Sequence, residues 1–139
     1  MADGFALSLQ KGLRATLAAN SGVTNIVSSR IYDEPPQNAT FPYLRFGEIS
    51  PAVFDTDTIE GSLVAVTFEA HSRSPSGRVE AVQIAEAVRA ALHRQEGSVA
   101  VAGFNLIELI FEAISVTRDG EGRGYTAVIV LQAMLEDTA

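Results

Sequence analysis

The apolar positions of this chain change period several times, and each change marks an element. Phe5, Leu9, Leu13 and Leu17 recur at every fourth residue. That spacing puts them in one stripe and predicts a helix over about Asp3 to Ala19, with Asp3 as its cap. Asn20-Ser21-Gly22 stops it, Gly22 suiting the turn after a helix. Val23 to Ser28 reads as a further turn of helix. Arg30-Ile31-Tyr32 is short and β-prone, and the adjacent prolines Pro35 and Pro36 hold the next segment extended. Pro42 keeps Phe41 out of the helical region, and a strand follows over Tyr43 to Ile49. In it Tyr43, Arg45 and Gly47 face one way, while Leu44, Phe46 and Glu48 face the other. Ser50 to Gly61 reads as a long exposed loop, its turn chemistry coming from Pro51, Asp55, Thr56, Asp57 and Thr58.

A strict alternation then predicts a strand over Ser62 to Ser72. Val64, Val66, Phe68 and Ala70 form one face; Leu63, Ala65, Thr67, Glu69 and His71 form the other. A Ser/Pro/Gly turn leads into the best-marked helix, about Ser76 to Arg94. There Ala81, Ile84, Ala85, Val88, Ala91 and Leu92 share an arc of about 120°. Val99 to Val101 reads as a short strand ended by Gly103. Phe104–Thr117 and Tyr125–Leu135 form a long pair of strands joined by the hairpin loop Arg118–Gly124. The first of the pair is long for a strand, so either a bulge bends it or the hairpin projects beyond the body.

The order of elements predicts an α+β fold: a four- to five-stranded, mostly antiparallel sheet, two main helices on one face, and a long C-terminal β-hairpin. Ile107, Leu109 and Phe111 alternate with further apolar residues, so the second face also needs cover. Oligomerisation is one way to supply it. The length, 139 residues, fits one domain spanning the chain.

Composition narrows the function. A net charge of −7, with the basic residues scattered, argues against a grip on nucleic acid. An acidic surface can still serve as a passage for DNA, since like charge keeps the polymer from sticking. Apolar residues make up 47% of the chain and charged ones 19%, which favours some apolar surface being buried against partners. No cysteine is present, so disulfides, thiolate metal sites and cysteine nucleophiles are excluded. Asp3, Lys11 and Arg14 interrupt any signal peptide, and no apolar run is long enough to span a membrane.

Candidate chemistry is sparse. His71 and His93 lie on separate elements without metal-ligand spacing, and read as solvent-exposed structural residues. His93, at a helix end, is placed where a cation complements the dipole. Asp55, Asp57 and Glu60 fail as a calcium loop because Ile59 stands at a ligand position and Gly61 falls one place late. Gly120, Gly122 and Gly124 lack the following helix of a phosphate loop. No serine sits in a nucleophile motif. One carboxylate pair remains: Glu108 and Glu112 share a strand face with Leu106, Ile110 and Ile114. Half-buried, the two could do acid–base work as a small enzyme; otherwise they line a solvated channel or pair with arginines of a neighbouring subunit. No metal or cofactor is called for.

Arg30-Ile31-Tyr32, Pro36, Ala39, Phe41-Pro42-Tyr43 and Gly47-Glu48 resemble the signature of the tail-completion family of long-tailed phages. So do Ser72-Arg73, Gly77-Arg78, Glu80-Ala81, Ile84-Ala85, Val88-Arg89-Ala90-Ala91-Leu92 and Arg118-Asp119-Gly120. The family's relatives include the tail terminators of phage-derived gene transfer agents. One departure is Ala70-His71, where a larger apolar–aromatic pair is expected. The resemblance implies a non-enzymatic ring, six copies being expected, that caps the head-proximal end of a tail tube. Its implied partners are further copies of itself, the tail tube protein and the head–tail connector or stopper, with DNA only as passing cargo and no membrane. Its implied places are the bacterial cytoplasm during assembly and then the particle's tail. On length and exposure, contacts with tube or neighbour are expected at Phe54, Asp55, Asp57 and Ile59 and at Arg118, Asp119, Glu121 and Arg123. Another connector or minor tail component is the alternative within this class.

Overall fold

The computed structural model describes residues 4–55, 60–75, 77–119 and 124–137. Three helices, α1 (Phe5–Ala18), α2 (Ser21–Val27) and α3 (Val79–Leu92), accompany five strands. The strands are β1 (Ile31–Tyr32), β2 (Tyr43–Asp55), β3 (Glu60–Ser72), β4 (Phe104–Arg118) and β5 (Tyr125–Asp137). They form one sheet in the order β1-β2-β3-β5-β4. Only the β1–β2 pair is parallel; β2, β3, β5 and β4 are antiparallel neighbours. The fold is α+β, with β4 and β5 as its C-terminal hairpin.

The alternation legible in the sequence sets which face is buried. Val64, Val66, Phe68 and Ala70 of β3 and Ala127, Ile129, Leu131, Ala133 and Leu135 of β5 are all buried. Against them pack Leu9, Leu13 and Leu17 of α1 and Ile84, Ala85, Val88 and Leu92 of α3, also buried. The small alanines on α3 let the helix lie close to the sheet, and Phe46 meets Phe68 with ring centroids 4.7 Å apart beneath.

Three expectations need correction. The cap of α1 is Gly4, which makes no side-chain hydrogen bond; Asp3 lies outside the described residues. The segment Val99–Val101 is not a strand. It follows a 3-10 turn (Glu96–Ser98) and is laid against α1, with Val99 and Val101 buried. A Cβ at Gly12 would fall on the carbonyl oxygen of Ala100, so only glycine lets α1 approach this backbone. Gly12→Ala is therefore expected to lower stability by about 1–3 kcal/mol, although alanine favours helices, because the overlap falls on backbone rather than on a flexible side chain. Thermal unfolding of the variant checks this.

The third correction is the largest. Ser50–Gly61 is not a loop: β2 runs on to Asp55 and β3 starts at Glu60, so the two form a second long hairpin, paired out to Asp55↔Glu60. Pro51 is tolerated inside β2 because β1 pairs only with Leu44 and Arg45, leaving the rest of that edge open. Leu44 donates its N–H to Arg30 on that side. The one-residue bulge between Phe46 and Ile49 carries the outward-facing role to the odd positions, and so puts the proline nitrogen at the edge.

Candidate assembly surfaces

The helices cover one face of the sheet, and no described element covers the other. The bare face presents Leu63, Ala65 and Thr67 of β3, Val128, Val130, Gln132 and Met134 of β5, and Ile110, Ala113 and Ser115 of β4. Those of β3 and β5 are half-buried, since neighbours on a flat sheet shade one another. The middle of this face carries no basic residue.

Strand β4 forms an edge of the sheet over 15 residues. Two bulges, between Leu106 and Glu108 and between Phe111 and Ala113, break its alternation. Both bends absorb the length that the sequence left unexplained. They also place the candidate carboxylates. Glu108 faces Met134 on the bare side, and Glu112 is the extra residue of the second bulge; both are exposed rather than half-buried. The shared environment expected of an acid–base pair is absent from them. Ile107 and Ile114, 44% and 36% exposed, add apolar surface along the same edge.

The centre of this edge is already occupied. Leu109 donates its N–H to Glu96 Oε2 (3.2 Å) and Phe111 donates to His93 Nδ1 (3.0 Å), while Leu109 accepts from the N–H of Arg94 (2.9 Å). The turn after α3 thus imitates a neighbouring strand. Beyond it, the bulge at Glu112 hands the outward-facing positions to Ile114 and Val116, where the edge is open. His93 is a correction too: the C-cap of α3 is half-buried rather than solvent-exposed, and its Nδ1 accepts a hydrogen bond from the Phe111 N–H.

The other predicted contact residues divide. Phe54 and Asp55 end β2 opposite Gly61 and Glu60, at the far end of the sheet from the C-terminal hairpin. Val53 beside them is 64% exposed. Arg118 closes β4 opposite Tyr125, and Asp119 donates its N–H to the Gly124 carbonyl at 2.8 Å. Asp57, Ile59, Glu121 and Arg123 lie outside the described residues. The described members, Phe54 and Asp55 on one side and Arg118 and Asp119 on the other, therefore sit at opposite ends of the strands within one chain.

The residues of the motif-rich segments hold one corner together. Arg30 Nε donates to the Pro42 carbonyl at 2.8 Å, across a cis Phe41–Pro42 bond. Arg73 stacks on Phe41, 4.3 Å from guanidinium to ring centroid. Buried Ser72 donates to Glu80 Oε1 at 2.7 Å, tying the end of β3 to the first turn of α3, where a carboxylate also suits the dipole. A cleft of about 330 Å³ opens here, lined by Pro36, Asn38, Phe41, Tyr43 and Arg73 among others.

Tyr43, at the centre of this corner, has its phenol pushed above the ordinary value of 10.0, first by burial and then by nearby Glu69 and Asp119, against the pull of Arg45 and Arg73. The folded chain therefore keeps the proton longer than the unfolded chain. That contribution to stability is complete below about pH 10 and declines as pH rises past it. Tyr43→Phe is expected to flatten the alkaline limb of a stability–pH curve.

Among the described residues no group of acidic or histidine side chains could hold a metal ion, and no helix is long and apolar enough to cross a membrane. No curated protein matches the sequence. A chain of the solved structure titled "Virion of native gene transfer agent (GTA) particle" is similar in fold, with a TM-score of 0.85 and 21% sequence identity. The match covers 96% of this chain and 99% of that one. A family model described as "Tail completion protein gp17" matches residues 11–136. That span takes in α2, α3, β1 to β4 and all but the last residue of β5, and the chain belongs to this family of structural phage tail proteins.

Proposed function

We propose that copies of this chain close into a ring on the head-proximal end of a phage-type tail tube. The ring ends tube growth, offers the head connector a surface to join, and leaves a central passage for DNA. Six copies are the expected number. The work is done by shape and self-association, with no reaction catalysed. The observation that carries this reading is the bare sheet face. Helices cover one side, while the other offers a broad array of side chains, uncharged at its centre, that no described element covers.

In this reading the bare face lines the passage. Phosphates are held by clustered lysine and arginine, and the centre of this face has neither, so DNA slides past it. Glu108 and Glu112 stand on the strand that borders the face, where carboxylates repel the polymer. Subunits meet through unlike surfaces, one patch on each copy meeting a different patch on the next. The open stretch of β4 from Ile114 and the hairpin at Arg118–Asp119 form one such patch, and the β2–β3 hairpin beyond Val53 contacts the tube or the neighbour. Protein is assembled in the bacterial cytoplasm and ends in the particle's tail.

Omission of the chain from an otherwise complete assembly tests the proposal. Tails measured by electron microscopy should lose their uniform length and fail to join heads. Tails of normal length joined to heads would refute it.

A further inference from the structure

His71 ends β3 on the bare face, half-buried, and both of its ring nitrogens are engaged. Nε2 lies 3.0 Å from Glu69 Oε1, and Nδ1 lies 3.2 Å from Thr126 Oγ1. Thr126 in turn lies 2.8 Å from Asp119 Oδ1. A carboxylate can only accept, and a threonine hydroxyl has a single proton to give. That proton goes to Asp119, so the hydroxyl oxygen must accept from the ring, and Nδ1 must carry a hydrogen. Nε2 faces the Glu69 carboxylate and must carry one as well. The chain Glu69–His71–Thr126–Asp119 is complete only when the ring is an imidazolium. Tyr43 stacks on the ring, 4.9 Å between centroids and 21° between planes, within the reach at which an aromatic face attracts a cation.

His93 shows the reverse. Its Nδ1 lies 3.0 Å from the backbone nitrogen of Phe111, which can only donate, so Nδ1 must be bare.

We propose that the two histidines are held in opposite proton states that together pin strand β4. The cation at His71 ties the base of the C-terminal hairpin to the central strand, and bare Nδ1 of His93 closes the middle of the exposed edge. The inference rests on donor and acceptor counts and stands whether or not the chain forms a ring. The charged and titratable groups around His71 are Glu69 on its own strand, Tyr43 and Arg45 on β2, Arg73 beyond β3, and Asp119 on the hairpin. Around His93 they are Arg89 and Arg94, Glu96, and Glu112 on β4.

Ring nitrogen chemical shifts of the full chain, labelled at histidine, test this together with amide hydrogen exchange between about pH 5 and 8. His71 should show two protonated nitrogens while the Asp119 amide exchanges slowly. Loss of one ring proton should speed that amide about tenfold beyond the intrinsic pH effect. His93 should show bare Nδ1, and protonation there should speed exchange at Phe111. Thr126→Val removes the acceptor and keeps the shape, so it should uncouple Asp119 exchange from the charge on His71. Exposed Asp119→Ala gives a second reading should that variant fold poorly: it frees the threonine proton for Nδ1, so the His71 ring should accept the neutral form at lower pH. A His71 ring with one bare nitrogen throughout the range overturns the proposal. So does a pH dependence at Asp119 that both variants leave unchanged.

Discussion

Ile114→Pro is expected to yield a folded chain that no longer assembles. Proline removes one backbone N–H and fixes one backbone angle, so its effect depends on which way that N–H points. Leu109 and Phe111 turn their N–H groups away from β5, since Glu96 and His93 receive them. The bulge between Phe111 and Ala113 adds one residue, so the outward role passes to Ile114 and Val116. A proline at 114 therefore costs the sheet no bond to β5, and edge strands tolerate proline in that orientation. Pro51 already occupies an outward position at the opposite edge. The side chain lost is 36% exposed and contributes little to the core. A partner strand laid along 114–118 would lose a donor and meet a pyrrolidine ring instead. Thermal unfolding should show a change of about 1 kcal/mol or less, while particles built with the variant should fall at least tenfold in number. Normal particle yield would mean that this stretch of β4 meets no partner.

Phe68→Ala is expected to cost about 3–5 kcal/mol, the largest effect of any single change proposed for this chain. Phe68 is fully buried on the central strand, paired with Phe46 on β2 and Ile129 on β5. Its ring meets Phe46 at 4.7 Å, so truncation removes an aromatic contact as well as buried area. The neighbours are held by ladders on both sides and cannot collapse into the space, which keeps the cavity open. Against a typical total of about 5–15 kcal/mol this is a large share. Calorimetry should show a fall in Tm of roughly 10 °C or more. A small shift would mean that the core repacks, and that the sheet is softer than its long ladders suggest.

The parts of this fold that could be read from sequence are those where one face is buried and the other is not. Val64 to Ala70 alternate because β3 is central and covered on one side only, and α3 shows its apolar arc for the same reason. The outer half of β2 was illegible because that logic lapses there. Pro51, Ala52 and Val53 are exposed on a strand whose far edge faces solvent, so burial selects no alternation and the proline reads as a breaker. Val99 and Val101 misled in the opposite sense: they are buried, but against α1 rather than in the sheet. Of the candidate contact residues, Arg118 and Asp119 are named from the length of the hairpin alone, and they stand where β4 ends. The hydrogen-bond chain through His71 was illegible, since it joins residues 55 positions apart and only the register of β3 on β5 brings them together. The bulges that expose Glu108 and Glu112 leave no sequence mark beyond the length of β4.

The central claim concerns which way the sheet faces. Electron cryo-microscopy of complete particles at the junction of tail and head locates each copy of the chain directly. The account predicts a closed ring at the head-proximal end of the tube, with Ala65, Thr67, Val128 and Val130 turned toward the passage and α1 and α3 on the outside. A ring with its helices lining the passage, or the chain found anywhere other than that junction, would contradict it.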